Sequence, residues 1–152
     1  MTTFRAVADQ LSRSVDAALP ALSAIPDESA SQPRSGGKWS PKQVLGHLID
    51  SAANNHQRFV RAQQPGDLHL PGYAQEHWVG VQHYNARPWM SLVELWSAYN
   101  RHLAHVIARI PDSEQGKTCT IDPNPPETLA FLATDYVDHL CHHLAQIGIA
   151  RR

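Results

Sequence analysis

Apolar residues recur every three or four positions in four stretches of the 152-residue chain, and each stretch reads as one stripe of an amphipathic helix. In the first, Phe4, Val7, Leu11, Val15, Ala18, Leu22 and Ile25 share a face, and the run ends near Pro26. A polar segment rich in Ser, Pro and Gly follows and leads to Ser40-Pro41-Lys42-Gln43. There Ser40 can cap, Pro41 fits the first helical position and Gln43 completes a capping box, so a second helix runs from Pro41 to about Gln64. The third helix begins after Pro88, buries Leu92, Trp96, Tyr99, Leu103, Val106 and Ile110, and stops at Pro111. A fourth starts between Asn124 and Thr128 and carries Leu129, Leu132, Tyr136, Leu140, Leu144 and Ile147.

Four amphipathic helices joined by connections of mixed length predict an all-α fold, a four-helix bundle forming one domain over residues 1–152. No internal repeat is visible. The connection from Pro65 to Pro88 holds His69, Tyr73, His77, Trp78, His83 and Tyr84, too many aromatic and His residues for a disordered linker. A connection of this length is expected to carry structure or function of its own. Thr118-Cys119-Thr120-Ile121 has the composition of a short strand.

Composition narrows the partners. A formal net charge of −1, with the two signs mixed along the chain and no basic run, argues against a nucleic-acid or anionic-membrane surface. No stretch has the run of apolar residues that a membrane span needs, and Met1–Leu11 lacks a secretory pattern, so the cytoplasm is the expected location. Cys119 and Cys141 are expected as reduced thiols. Ten histidines make the chain rich in metal-binding donors, although surface composition bias accounts equally well for any one of them.

Position begins to separate the histidines. His139 and His143 lie one turn apart on the fourth helix, a spacing that lets both hold one ion, but in a His-rich chain such pairs also arise by chance. His142 belongs with Asp135 and Asp138 on the outer side. On the second helix His47, Ser51, Asn54 and Arg58 form a polar stripe with Asp50 beside it. Such a stripe is either a solvated helix back or a wall of the bundle interior. In the second case His47 meets His139 and His143, and three imidazoles without a fourth protein ligand leave open positions on a metal, as catalytic sites do.

The run from Lys38 to Ser51 (KWSPKQVLGHLIDS), followed by Asn54 and Arg58-Phe59, resembles the second-helix signature of the DinB/YfiT-like superfamily. Tyr136 to Ile147 (YVDHLCHHLAQI) is similar to its last-helix motif, and Pro71-Gly72-Tyr73 with Trp78 resembles a loop motif of the YfiT branch. The resemblance covers about Leu19 to Ile147. It implies a bundle of metal-dependent enzymes in which His47, His139 and His143 bind a divalent ion with water in the open positions. Two positions depart from the pattern: Ala74 stands where close YfiT relatives often carry an acid, and Cys141 replaces a common His. Ala74 removes the loop carboxylate from any catalytic role.

Other residues carry two readings each. His69, His77 and His83 have spacings that fit no compact ligand turn, so lining or surface roles are expected. On the third helix His102 is expected as a satisfied core His and His105 as a solvated one. Asp50 either accepts a hydrogen bond from a ligand imidazole or bound water, or pairs with a surface cation; the resemblance favours the first. Asp135 either orients the His139 imidazole or is an exposed acid near the helix start. Arg58 either binds an anionic substrate group or forms a salt bridge across the stripe. Cys141 is expected to pack rather than react, and Trp39, Trp78, Trp89 and Trp96 to anchor core or loops.

Together these point to a small metal-dependent enzyme, with Asp50 the candidate catalytic residue and zinc or nickel the expected ion. The resemblance favours transfer of a low-molecular-weight thiol, with hydrolysis as the alternative and a non-catalytic metal- or ligand-binding module as the rival of another class. The expected partner is a small-molecule substrate, and a homodimer is left open.

Overall fold

The computed structural model describes residues 2–150; Met1, Arg151 and Arg152, the ends of the expected domain, lie outside the described residues. Four long helices form the bundle: α1 (Phe4–Ser23), α3 (Pro41–Arg61), α5 (Trp89–Ala108) and α6 (Leu129–Gln146). Two shorter helices, α2 (Asp27–Ala30) and α4 (Gln75–Gln82), lie in the connections. Around the ring α1 packs on α5, α5 on α3, α3 on α6 and α6 on α1.

Each long helix forms where the apolar stripe and local capping agree. Thr3 caps α1 by accepting from the Ala6 amide at 3.1 Å, and the stripe Phe4, Val7, Leu11, Val15, Ala18 and Leu22 is buried. Ser40 and Gln43 close the expected box: the Gln43 amide donates to Ser40 Oγ at 3.2 Å, and the Ser40 amide donates to Gln43 Oε1 at 2.9 Å. Thr128 caps α6 by accepting from the Phe131 amide at 3.0 Å. Trp89 and Trp96 are fully buried, and the Trp89 indole donates to the Leu22 carbonyl at 2.8 Å, which ties α5 to the end of α1.

The differences from expectation lie at ends and connections. The second predicted helix stops at Arg61 rather than about Gln64, because its Ala62 cap turns into the tight turns that precede Pro65-Gly66. The long connection contains α4 and the strand β1 (Leu68–Pro71). β1 pairs in parallel with β2 (Thr118–Asp122), and β2 pairs antiparallel with β3 (Glu127–Thr128). The expected strand at Thr118–Ile121 is therefore present, and a small three-stranded sheet, order β1-β2-β3, closes one flank of the bundle. Leu68, Cys119 and Ile121 are its buried residues, so the sheet joins the same core.

Candidate metal centre

α3 and α6 pack against each other and bring three imidazoles to one point. His47 is fully buried, and His139 and His143 are half-buried. The Nε2 atoms of His139 and His143 are 3.0 Å apart, and those of His47 and His139 are 3.4 Å apart. One ligand atom from each of the three lies within 4.8 Å of the other two. Three nitrogens at ordinary Zn–N distances around one tetrahedral ion sit about 3.3 Å from one another, so the cluster has the spacing of a ligand set.

Hydrogen bonding and burial prepare the same atoms for that role. As placed, Gln146 Oε1 accepts from His143 Nδ1–H at 2.9 Å, which leaves the His143 Nε2 lone pair facing the cluster. Burial, with repulsion from His143 and then His139, lowers the His47 pKa to about 4. Burial, with repulsion from His143 and then His142, lowers that of His139 to about 4. His143 is lowered too, chiefly by burial. All three are thus neutral at pH 7, the form that binds metals. His47 Nδ1 is buried without a hydrogen-bond partner, and the Trp39 ring stands 5.2 Å from the His47 ring as a wall.

Asp50 lies one turn beyond His47 and is 2% exposed, which excludes a surface ion pair. Its Oδ1 accepts from the Tyr84 hydroxyl at 2.6 Å and from Gln82 Nε2 at 2.7 Å, while Oδ2 is buried without a partner. Burial raises its pKa against the opposing effect of those two bonds. The Tyr84 pKa is also raised, by burial and then by the bond to Asp50. Tyr84 reaches Asp50 because Gly46 presents no side chain: a Cβ there would fall 2.1 Å from Tyr84 Cδ2. Neither Gln82 nor Tyr84 was assigned a role from sequence. The signal for Tyr84 was Gly46, a glycine inside a helix and next to a candidate ligand, which marks a close approach.

Alongside the imidazoles opens a cavity of about 540 Å³, walled by α3, β2, the segment after β1, and α6. Ser51, Asn55, Arg58, Tyr73 and His139 line it. The polar stripe of α3 therefore faces inward, with one correction: buried Asn55 lines the cavity, whereas Asn54 bonds back to the Asp50 carbonyl at 2.9 Å. Both positions lie near the stripe's edge, where periodicity alone does not discriminate. Tyr73, singled out in the loop motif, is a cavity wall and packs its ring on Trp78 at 5.3 Å.

The remaining candidates sort cleanly. Asp135 is exposed on the cavity rim, and no hydrogen bond among the described residues joins it to His139. His142 is exposed, as expected. His102 is not a core histidine. It is exposed beside His56, ring centroids 5.3 Å apart, because the α5 positions that meet the neighbouring helices are Leu103 and Ala104. His105 is exposed and stacks on His102 at 6.3 Å. His69, His77 and His83 are exposed and do not cluster among the described residues; His69 bonds Asp122 at 2.8 Å. Cys141 is buried and contacts Ser14 Oγ at 3.6 Å, a packing role between α6 and α1.

Known proteins agree with this architecture. A protein of Oceanobacillus iheyensis named "putative metal-dependent hydrolase" is 24% identical over 129 residues, covering 85% of this chain and 74% of its own length. One of the same name from Bacillus cereus strain B4264 is 29% identical over 120 residues, covering 76% of this chain and 66% of its own. The chain thus spans about two thirds to three quarters of these relatives. Among solved structures, YfiT from Bacillus subtilis matches with a TM-score of 0.79 at 20% identity, over 93% of this chain and 81% of that one. That structure is described as "a probable metal-dependent hydrolase with an unusual four-helix bundle topology", and the likeness shows that the two share a fold. The sequence model of the DinB superfamily matches residues 10–147, nearly the whole bundle from within α1 to just past α6, and the chain belongs to that superfamily.

Proposed function

We propose that the chain is a metal-dependent enzyme in which His47, His139 and His143 hold one divalent transition-metal ion beside the cavity, and that its reaction is hydrolysis of a small molecule. The observation that carries this reading is the convergence of three neutral imidazoles at ligand spacing, 3.0 and 3.4 Å between Nε2 atoms, one of which, His139, lines a cavity of ligand size. When bound, a divalent ion supplies Lewis acidity that makes a nucleophile available at neutral pH. Zinc and nickel are the first ions to test.

The chain's own groups complete the site. Gln146 fixes the His143 tautomer, and Trp39 shields His47 from solvent. Asp50 is the proton-holding group of this reading: Oδ1 is fixed by Tyr84 and Gln82, Oδ2 is free, and burial makes the carboxylate a better base. Water is favoured over a low-molecular-weight thiol as nucleophile by the relatives' names, which call them hydrolases. The test is a metal analysis followed by esters, amides and thiol-reactive electrophiles assayed with metal-loaded and chelated protein, each with and without a low-molecular-weight thiol. Hydrolysis that needs metal but no thiol is expected. Product only with thiol replaces hydrolysis by S-transfer, a full metal complement with no product favours a binding module, and protein that takes up no metal overturns the reading.

A further inference from the structure

Arg58 is the only Lys or Arg among the described residues that line the cavity. It is half-buried on α3, three turns beyond His47. No carboxylate stands within ion-pair distance of it among the described residues, although four Lys or Arg pairs with carboxylates form elsewhere. Among the described residues its guanidinium makes one hydrogen bond, from Nη1 to Asn55 Oδ1 at 3.4 Å, which steadies it and leaves most of its donors without a partner there. A half-buried, unpaired guanidinium is costly, and burial lowers its pKa accordingly. Function is the usual reason to keep one.

The other walls define what it can hold. Asp122, Glu127 and Asp135 line the same cavity, so a dianion such as a phosphate monoester meets three acids as it approaches one cation. A carboxylate carries a single charge and matches the guanidinium fork in two parallel hydrogen bonds. Ile121 and Phe131 add apolar wall, and Phe131 is 47% exposed for a large aromatic side chain. We propose that the cavity takes a substrate bearing one carboxylate, held by the Arg58 guanidinium, with an alkyl or aryl body against Ile121 and Phe131. The inference rests on the reading that this cavity, with His139 in its wall, receives the substrate.

Phenylacetate and its neutral isostere phenylacetamide are the probes, titrated by NMR or calorimetry into wild-type, R58Q and R58K protein, each zinc-loaded and chelated. Binding of phenylacetate to the wild type is expected in both metal states, because the anchor is Arg58 rather than the ion. R58Q should weaken it about ten- to a hundredfold, the worth of a charge-assisted pair. R58K, which keeps the charge but loses the fork, should fall between, and phenylacetamide should bind the wild type as weakly as phenylacetate binds R58Q. Equal binding to wild type and R58Q, equal binding of acid and amide, or no binding to the wild type overturns the proposal. The two readings fail separately. Arg58-dependent phenylacetate binding by a protein that holds no metal sinks the proposed function alone, and metal-dependent hydrolysis with no Arg58-dependent binding sinks this inference alone.

Discussion

Replacing Gly46 by Ala tests the arrangement that holds Asp50. An added Cβ would lie 2.1 Å from Tyr84 Cδ2 and 2.4 Å from both Cε2 and Cγ. Carbon atoms in contact prefer roughly 3.5–4.0 Å, so the ring must move by more than an ångström. Tyr84 is 4% exposed, which leaves it little room, and any such move breaks its hydroxyl's bond to Asp50 at 2.6 Å. Overpacking costs about 1–3 kcal/mol and loss of a hydrogen bond to a charged group about 1.5–3 kcal/mol. The better helix propensity of Ala returns about 1 kcal/mol. The net is a destabilisation of about 2–5 kcal/mol, or roughly 4–20 °C in Tm for a chain of this size. Calorimetry or urea melts of chelated protein read it without a contribution from bound metal. The control is the same change in a Tyr84→Ala background, where the overlap is absent and G46A should be neutral or stabilising by up to about 1 kcal/mol. A G46A protein as stable as the wild type, or an equal cost in both backgrounds, would show that the Tyr84 ring does not lie against Gly46.

Three further outcomes follow from the site. Alanine at His47, His139 or His143 should each abolish stoichiometric metal while His102→Ala, His105→Ala and His142→Ala retain it; emission analysis checks this, and full occupancy in His143→Ala removes the triad. Asp50→Asn should lower turnover far more than metal content, since no bond joins its carboxylate to an imidazole among the described residues, and loss of the metal instead would make Asp50 a ligand. For pH, the chelated protein should lose stability on acidification between about 6.5 and 4. His47 and His139 take up protons in the unfolded chain near 6.5 but in the folded chain only near 4, so falling pH favours the unfolded state across that window. A Tm independent of pH over that range, followed by differential scanning fluorimetry, contradicts the buried, neutral state of the pair.

The bundle was legible because periodicity and capping are local. The stripe from Phe4 to Leu22 and the Ser40–Gln43 box each lie within one window of sequence, and both appear in the structure as read. The β1–β2 pairing was not, because it joins Leu68 to Cys119 across two intervening helices, α4 and α5, and no local pattern carries a partner so distant. His102 was misplaced for a related reason. A residue at the edge of an apolar stripe is buried or exposed according to where the neighbouring helices lie, and α5 turns Leu103 and Ala104 inward while His102 stays outside.

The site divides along the same line. One turn separates His139 from His143, so the spacing offered them as a candidate pair among ten histidines, whereas the approach of His47 required knowing which face of α3 meets α6. Asp50 shows the limit most clearly. Its closeness to His47 was visible in the chain, but its state is decided by Tyr84 and Gln82, more than thirty residues away, and by the absence of a side chain on Gly46. The long connection between α3 and α5 thus supplies the hydroxyl and the amide that hold the Asp50 carboxylate, and Tyr73 as a cavity wall. The bundle helices α3 and α6 provide the candidate ligands, and the connection shapes the surroundings of Asp50 beside them. Substitutions at Tyr84 or Gln82 should therefore change turnover and its pH dependence while leaving the metal complement intact, a separation that follows only if ligands and connection contribute independently.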